Sequence, residues 1–301
     1  MTAPHLSRRS LLAGGAALAF AAACGGGDDG GGSDEREGSG GSTTAPASGG
    51  AASTLLALLP QQGVLTTNGD QRFPLAVAGA DGVPVREGLP ARQFQLRAES
   101  GDPEVFDVEP RSDGIPTPYY PVTFSVAEPG IYELTVVDEE FNPVTFEVAS
   151  ETAIPSVGQP LPAFDTPTTA DPRGVTPICT REPACELHDV TLREALGSGS
   201  PVAFLVATPE FCQVSICGPV LDLLVEALAD LPGVTGLHAE VYADPRGADD
   251  PTAGGLAPVT DAYSLPFEPT LFVADATGTI TARLDSVYDR TELRSALEQV
   301  A

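Results

Sequence analysis

The chain has no lysine and no tryptophan, and it contains only three histidines and five cysteines in 301 residues. All 15 basic residues are therefore arginine, and they are outnumbered by 42 acidic residues. Removal of residues 1–23, which hold Arg8 and Arg9 and no acid, leaves 13 − 42 = −29 formal charges. Such a charge repels nucleic acid and anionic lipid headgroups. We therefore expect no nucleic-acid partner.

Residues 54–150 contain no cysteine and no histidine, which leaves this region without metal-ligand or catalytic character. Its apolar stretches are short, are separated by turn residues and show no sustained helical stripe. In Arg92–Ala98, Phe94 and Leu96 alternate with polar residues, which is the period of a half-buried strand. The region therefore predicts an antiparallel β-sandwich that acts as a spacer or docking module. The other predicted strands are Phe73–Ala78, Tyr120–Val126, Ile131–Val137 and a stretch containing Phe146 and Val148.

A turn between two of these strands indicates the type of sandwich. Pro129-Gly-Ile-Tyr132-Glu-Leu resembles the corner at which a strand begins in immunoglobulin-like domains. The resemblance implies a multidomain chain in which an all-β immunoglobulin-like sandwich over residues 54–150 precedes a C-terminal domain.

Residues 1–23 have the features of an export signal: a basic start, a short apolar run and small residues at the end. The run is too short to span a bilayer as a mature helix. Arg8 and Arg9 with the following leucines resemble a twin-arginine signal, and the alanines before Cys24 resemble the lipobox of bacterial lipoproteins. These resemblances imply that Cys24 is acylated and anchors the protein to the extracytoplasmic face of the cell membrane. Residues 24–53 are then a Gly/Ser-rich tether, although a cleaved signal with a chance cysteine is the alternative.

Four cysteines remain after Cys24, and an even number in an exported chain favours disulfides over free thiols. Four cysteines allow three pairings, of which local pairing closes the shortest loops. We therefore expect Cys179–Cys185 and Cys212–Cys217 disulfides. Residues 151–186 are rich in proline and indicate an extended interdomain linker, and the Cys179–Cys185 loop at its end has the character of a structural clip.

From residue 187 the pattern changes to alternating strands and helices. Thr191 and Glu194 form a capping-box pattern that begins a short helix, and Val202–Val206 is an apolar strand. Asp289 is the expected N-cap of a final helix with Leu293, Leu297 and Val300 on one face. Between them the sequence predicts a helix that contains Cys217 and ends near Leu231, a strand Leu237–Tyr242, a helix Pro258–Tyr263 and a hairpin of Thr270–Ala274 and Thr279–Leu284.

Residues 187–301 resemble the thioredoxin superfamily in this order of elements and in three short motifs. These motifs are Cys212 at a strand-to-helix junction, Pro219-Val-Leu-Asp222 within the helix, and Phe267-Glu-Pro269-Thr270 before a strand. The resemblance implies an α/β domain in which Pro269 is cis and faces the active cysteine. It also implies that Glu268 and Pro269 position an incoming peptide. The chain departs from the family by having Phe211 in place of tryptophan and C-x4-C in place of C-x2-C.

The wide spacing constrains how Cys212 and Cys217 are placed. Five residues apart in one regular helix, their Cα atoms would be roughly 8–9 Å apart, beyond the reach of a disulfide. We therefore expect Cys212 in the turn before the helix and Cys217 about one turn inside it. Cys212 is then the nucleophile, activated by the helix N-terminus, and Cys217 the resolving cysteine. The acidic neighbour Glu210 opposes a lowered pKa and so favours a mildly oxidising centre.

The sequence thus predicts a possible enzyme, a thiol–disulfide oxidoreductase that uses Cys212 and Cys217 and acts on protein thiols or disulfides outside the cytoplasm. No cofactor or metal is expected. One alternative is a Cu(I)-binding metallochaperone with Cys212, Cys217 and a histidine, His188 or His238, as ligands. The other is a non-catalytic binding lipoprotein whose Cys212–Cys217 disulfide is structural.

Overall fold

The computed structural model describes residues 53–79, 81–212 and 215–301, all within the unit Gly49–Ala301. The predicted export signal, the lipidation site Cys24 and the tether lie outside the described residues, apart from the last residue of the tether. In the described ranges, no helix combines the length and the apolar character needed to cross a membrane.

The N-terminal half is formed by two sheets. Phe73 and Phe146, one from each sheet, have ring centroids 4.5 Å apart, and Phe94 and Tyr120 form a second contact at 5.1 Å. The two sheets therefore pack face to face around an aromatic core. The first sheet has the order β6-β3-β1-β8, with β1 Ser53–Ala57, β3 Gln71–Ala78, β6 Tyr120–Phe124 and β8 Phe141–Asn142. The second has the order β2-β9-β7-β4-β5, with β2 Leu65–Thr66, β4 Arg92–Ala98, β5 Glu104–Val108, β7 Gly130–Val136 and β9 Val144–Ala149.

Side-chain periodicity in β4 explains its place in the sandwich. Phe94 and Leu96 are buried, whereas Gln93 and Arg97 are exposed, as the alternating sequence predicts. At the start of β7, the Tyr132 hydroxyl donates a hydrogen bond to the Glu128 carbonyl over 2.7 Å, which fixes the turn before the strand.

The C-terminal half is a four-stranded mixed sheet with helices on both faces. The central strand β10 pairs in parallel with β11 and antiparallel with β12, giving the order β11-β10-β12-β13. Helices α2 and α4 pack on one face of this sheet and α1 and α3 on the other. The elements are α1 Leu192–Gly197, β10 Val202–Val206, α2 Cys217–Ala229, β11 Thr235–Ala239, α3 Pro258–Ala262, β12 Thr270–Ala274, β13 Ile280–Asp285 and α4 Arg290–Glu298, with a 3₁₀ turn at Pro251–Gly254.

The segment predicted as a linker, residues 151–186, packs against the four-stranded sheet of the C-terminal half. Pro160 forms a bridge with Thr279 beyond β12, and the Thr176 N–H donates to the Ala243 carbonyl over 2.7 Å. Several of its side chains are buried, including both cysteines. This segment therefore belongs to the C-terminal core instead of spanning open solvent.

Direct polar contacts join the sandwich to the C-terminal half. Arg72 in β3 donates to both carboxylate oxygens of Glu292 in α4, over 2.6 and 2.7 Å. The Tyr119 hydroxyl also donates to Glu292, and the Arg290 N–H donates to the Asp113 carbonyl over 2.9 Å. The sandwich is thus held at the edge where α4 begins.

Candidate functional site

Cys212 and Cys217 form a disulfide at the junction between β10 and α2, with their Cα atoms 5.9 Å apart. Cys212 lies in the turn, as predicted, but Cys217 is the first residue of α2, so the expectation that it lies one turn inside the helix is wrong. Helix α2 cannot begin earlier because Ser215, directly before the N-cap Ile216, has a φ of 54°, which a right-handed helix does not allow. The Cys217 side chain is 0 % exposed and that of Cys212 is 9 % exposed.

Glu268 places a buried carboxyl group beside the sulfur of Cys217. Its Oε2 atom lies 3.6 Å from Cys217 Sγ and accepts the Thr208 N–H over 2.6 Å. Burial raises the pKa of Glu268 to about 7, although the hydrogen bond from Thr208 opposes the shift. Near neutral pH this carboxyl can therefore either donate a proton to Cys217 Sγ or accept one from it. The Glu268–Pro269 peptide bond is cis, as predicted.

A cavity of about 800 Å³ reaches the disulfide from the side of Cys212. It is lined by Cys212, Phe267 and Glu268 from the C-terminal half and by Leu56 and Ala76 from the sandwich, among other residues. Most of the lining is apolar. The sandwich therefore contributes to the surroundings of the disulfide, although it has no chemically reactive residue there.

Glu210, two residues before Cys212, forms an ion pair with Arg246. Arg246 Nε lies 2.8 Å from Glu210 Oε2. The charge of Arg246 therefore partly offsets that of the Glu210 carboxylate.

A second group of chemically reactive side chains is buried nearby. Cys179, Cys185, His188 and His238 converge, and one ligand atom of each lies within 4.8 Å of the others. The two sulfurs are 3.7 Å apart, and His188 Nε2 lies 3.3 Å from Cys185 Sγ. His238 Nδ1 lies 3.6 Å from Cys185 Sγ, 3.7 Å from Cys179 Sγ and 3.3 Å from His188 Nε2. We call these four residues the Cys/His cluster.

Neighbouring polar groups fix this cluster in place. His238 Nε2 lies 2.9 Å from the Ala207 carbonyl oxygen at the end of β10. Thr180, which follows Cys179, donates through its N–H to Glu240 over 2.6 Å. Its hydroxyl accepts the N–H of Glu210 over 3.2 Å, so the cluster segment contacts the turn that carries Cys212.

The predicted site residues thus divide between two places. Cys212, Cys217, Glu268 and Pro269 lie together, whereas Cys179 and Cys185 lie beside His188 and His238. The structure lacks the expected Cys179–Cys185 disulfide and shows two free thiols. The sulfurs lie 3.7 Å apart, well beyond the length of a disulfide bond, and each has an imidazole nitrogen within 3.7 Å instead. His188 accordingly lies beside Cys185 and not in the predicted alternative site with Cys212 and Cys217.

His238 is the residue that sequence reasoning did not place with Cys179 and Cys185. The spacing of Cys179, Cys185 and His188 puts three possible metal ligands within ten residues, a pattern that indicates a metal site with a fourth ligand elsewhere in the chain. No protein-family model matches the chain and no curated protein is significantly similar to it. Functional conclusions therefore depend on the geometry of these two sites.

Proposed function

We propose that this protein is a thiol–disulfide oxidoreductase whose C-terminal half is a thioredoxin-like domain and whose N-terminal half is an immunoglobulin-like sandwich. The observation that carries the proposal is the Cys212–Cys217 disulfide at the start of α2, with a cavity at one sulfur and a buried carboxyl at the other. The mixed sheet with helices on both faces and the cis Pro269 support the thioredoxin-like assignment. The Tyr132 turn supports the sandwich assignment.

In the oxidising direction, a substrate thiolate attacks Cys212 Sγ and forms a mixed disulfide. The Cys212–Cys217 bond breaks, and Cys217 leaves with the electron pair and takes up a proton. A second substrate thiolate then attacks the substrate sulfur of the mixed disulfide, and Cys212 leaves as a thiolate that takes up a proton from water. The substrate gains a disulfide and the protein gains two thiols. The reducing direction is the reverse, with Cys212 attacking and Cys217 resolving.

The surroundings of each sulfur match these roles. Cys212 lines the cavity, whereas Cys217 is fully buried, so only Cys212 is placed to meet a substrate sulfur. Because Cys217 is the first residue of α2, the positive end of the helix dipole lies at the sulfur that leaves as a thiolate. Glu268 Oε2, at 3.6 Å from Cys217 Sγ, gives the leaving sulfur its proton and takes the proton back in the reverse step.

The cavity indicates the form of the substrate. Its volume of about 800 Å³ is enough for a short stretch of chain but not for a folded domain. Because the walls are mostly apolar, we propose that the substrate is a cysteine-bearing peptide segment of a protein, held between the sandwich and the C-terminal half. Acylation of Cys24 and a position outside the cytoplasmic membrane form part of the same proposal, supported by the twin-arginine and lipobox resemblances of the sequence.

A redox titration of the full chain tests the central claim. The protein is equilibrated in glutathione buffers of known potential and alkylated, and the modified peptides are identified by mass spectrometry. We expect the 212–217 pair to interconvert between roughly −270 and −120 mV, the range of known oxidoreductases. A pair that stays oxidised below about −300 mV is a structural disulfide and would contradict the proposal.

Two matched single variants test the roles of the cysteines. Cys217→Ser leaves Cys212 free in the cavity, and we expect it to retain a mixed disulfide with a cysteine-containing peptide. Cys212→Ser leaves only the fully buried Cys217 and should trap much less. Equal trapping by both variants, or trapping at Cys217 alone, would overturn the assignment of Cys212 as the nucleophile.

A further inference from the structure

We propose that the Cys/His cluster is a structural zinc site, with Cys179 Sγ, Cys185 Sγ, His188 Nε2 and His238 Nδ1 as the four ligands of one Zn²⁺ ion. This assignment is independent of the proposed redox function, and it replaces both the structural disulfide and the absence of a metal that the sequence predicts.

The first argument is the spacing of the ligand atoms. Zinc binds sulfur at about 2.3 Å and imidazole nitrogen at about 2.0–2.1 Å, in tetrahedral sites. A regular tetrahedron with these bonds has edges of about 3.8 Å between sulfurs, about 3.3 Å between nitrogens and about 3.6 Å between sulfur and nitrogen. The corresponding distances are 3.7 Å between the sulfurs, 3.3 Å between the nitrogens, and 3.3, 3.6 and 3.7 Å for three sulfur–nitrogen pairs. Five of the six edges therefore match a zinc-sized tetrahedron, and the sixth, between Cys179 Sγ and His188 Nε2, is no longer than 4.8 Å.

The second argument is the orientation of the His238 ring. Its Nε2 atom lies 2.9 Å from the Ala207 carbonyl, which can only accept, so Nε2 carries the proton. The lone pair is then on Nδ1, the atom that faces the two sulfurs and His188. A metal-binding histidine is commonly held in this way, because a hydrogen bond from the outer nitrogen fixes the tautomer and the direction of the inner one.

Burial and charge identify the kind of site. All four residues are buried, and four protein ligands leave no coordination position for water or substrate, which is typical of structural zinc and not of catalytic zinc. Two thiolates balance the charge of Zn²⁺, so no net charge is buried. A tetrahedral set of two sulfurs and two nitrogens favours zinc over the hard cations that bind through oxygen.

The site joins distant parts of the chain near the redox pair. Cys179 and Cys185 come from the segment before α1, and His238 comes from β11, 50 residues beyond His188. Thr180, within the loop that the two cysteines enclose, contacts the backbone of Glu210 in the turn before Cys212. A zinc ion would therefore hold this loop against the sheet and support the turn that positions Cys212.

Metal analysis of the full chain, purified in detergent without chelators, tests the proposal. We expect about one equivalent of zinc, with X-ray absorption showing two sulfurs at about 2.3 Å and two nitrogens at about 2.0 Å. Cys179 and Cys185 should resist alkylation until a chelator removes the metal. Because this alkylation experiment uses the unaltered protein, its result does not depend on whether a variant folds.

Two double variants locate the metal. Zinc should fall below about a tenth of an equivalent in Cys179→Ser/Cys185→Ser and remain near one equivalent in the matched control Cys212→Ser/Cys217→Ser. Zinc that persists in the first variant, or disappears from the second, would overturn the assignment. A Cys179–Cys185 disulfide in the metal-free purified chain, or copper bound through sulfur alone, would overturn it as well.

Discussion

At the scale of single residues, Glu268 has the most consequential environment, because burial raises its pKa to about 7 from an ordinary value near 4.5. Glu240 strengthens this shift, whereas Thr208 and His238 oppose it. The folded state therefore holds the proton more tightly than the unfolded state. By linkage, the contribution of Glu268 to stability is fully present below about pH 4.5 and is lost as the pH rises towards 7.

The replacement Glu268→Gln removes this pH dependence while keeping an oxygen to accept the Thr208 N–H. We expect the oxidised variant to be more stable than the wild type by roughly 2–3 kcal/mol at pH 8, and nearly equal to it at pH 4.5. Urea unfolding at both pH values measures the difference. Glu104→Gln, the same replacement at an exposed position, is measured alongside as the matched control. A variant that is less stable than the wild type at pH 8 would contradict the raised pKa.

At the scale of elements, the N-cap residues of α1 and α4 differ in which parts of the chain they bind. Thr191 caps α1 in a capping box with Glu194, both residues of the same helix start. Asp289 accepts the Glu292 N–H over 2.9 Å within α4, and its other oxygen accepts the Asp113 N–H from the sandwich over 3.2 Å. The second cap is therefore also a contact between the two halves.

Replacement of the two caps should separate these contributions. Thr191→Ala loses a local cap, at a cost of about 1 kcal/mol. Asp289→Ala should cost about 2–3 kcal/mol, because it also leaves the Asp113 N–H without its acceptor. Urea midpoints give both values. Should Asp289→Ala cost no more than Thr191→Ala, the contact with the sandwich contributes nothing to stability.

The elements were the part of the fold most accessible from sequence. The predicted strands Arg92–Ala98, Val202–Val206 and Thr270–Ala274 agree with β4, β10 and β12 residue for residue, because strong periodicity or a continuous apolar run defines each of them. By contrast, β5 was not predicted. Its Glu104, Val105 and Asp107 are exposed at the edge of a sheet, and no alternation distinguishes it from a loop.

At the scale of the whole molecule, the ion pair between Arg72 and Glu292 joins the halves. The two side chains are only 12 % and 16 % exposed. Burial alone would raise the pKa of Glu292, but the charge of Arg72 and hydrogen bonds from Arg72 and Tyr119 lower it. Because neither charge can be solvated well at this interface, each depends on the other.

Breaking this pair should destabilise the whole chain. Arg72→Met leaves Glu292 buried without its partner, and we expect a loss of about 3–5 kcal/mol. The double variant Arg72→Met/Glu292→Leu should recover part of that loss, because no unpaired charge remains. The control is Arg294→Met, which breaks an exposed pair with Asp230 and should cost at most about 1 kcal/mol. Calorimetry measures all three, and a similar small effect for both single variants would contradict the interface role.

The sites were predictable only where their residues are close in sequence. Cys212, Cys217, Glu268 and Pro269 follow from two short motifs, although the start of α2 at Cys217 depends on the positive φ of Ser215, which the sequence does not reveal. The Cys/His cluster depends on the parallel pairing of β11 with β10, a long-range contact with no local pattern. The sequence also does not show that the sandwich lines part of the cavity, because those contacts are long-range as well.

The peptide unit between Ala207 and Thr208 has a consequence for both cysteine pairs. Its carbonyl oxygen lies 2.9 Å from His238 Nε2, and its N–H lies 2.6 Å from Glu268 Oε2. A trans peptide unit is planar, and its C=O and N–H point in opposite directions. The imidazole of His238 and the carboxyl of Glu268 therefore lie on opposite sides of the same peptide unit. A rotation of this peptide unit that follows a shift of the His238 ring would also turn the Thr208 N–H and weaken its hydrogen bond to Glu268. A displacement at the Cys/His cluster would therefore reach Glu268, and with it the Cys212–Cys217 disulfide, through a single peptide unit.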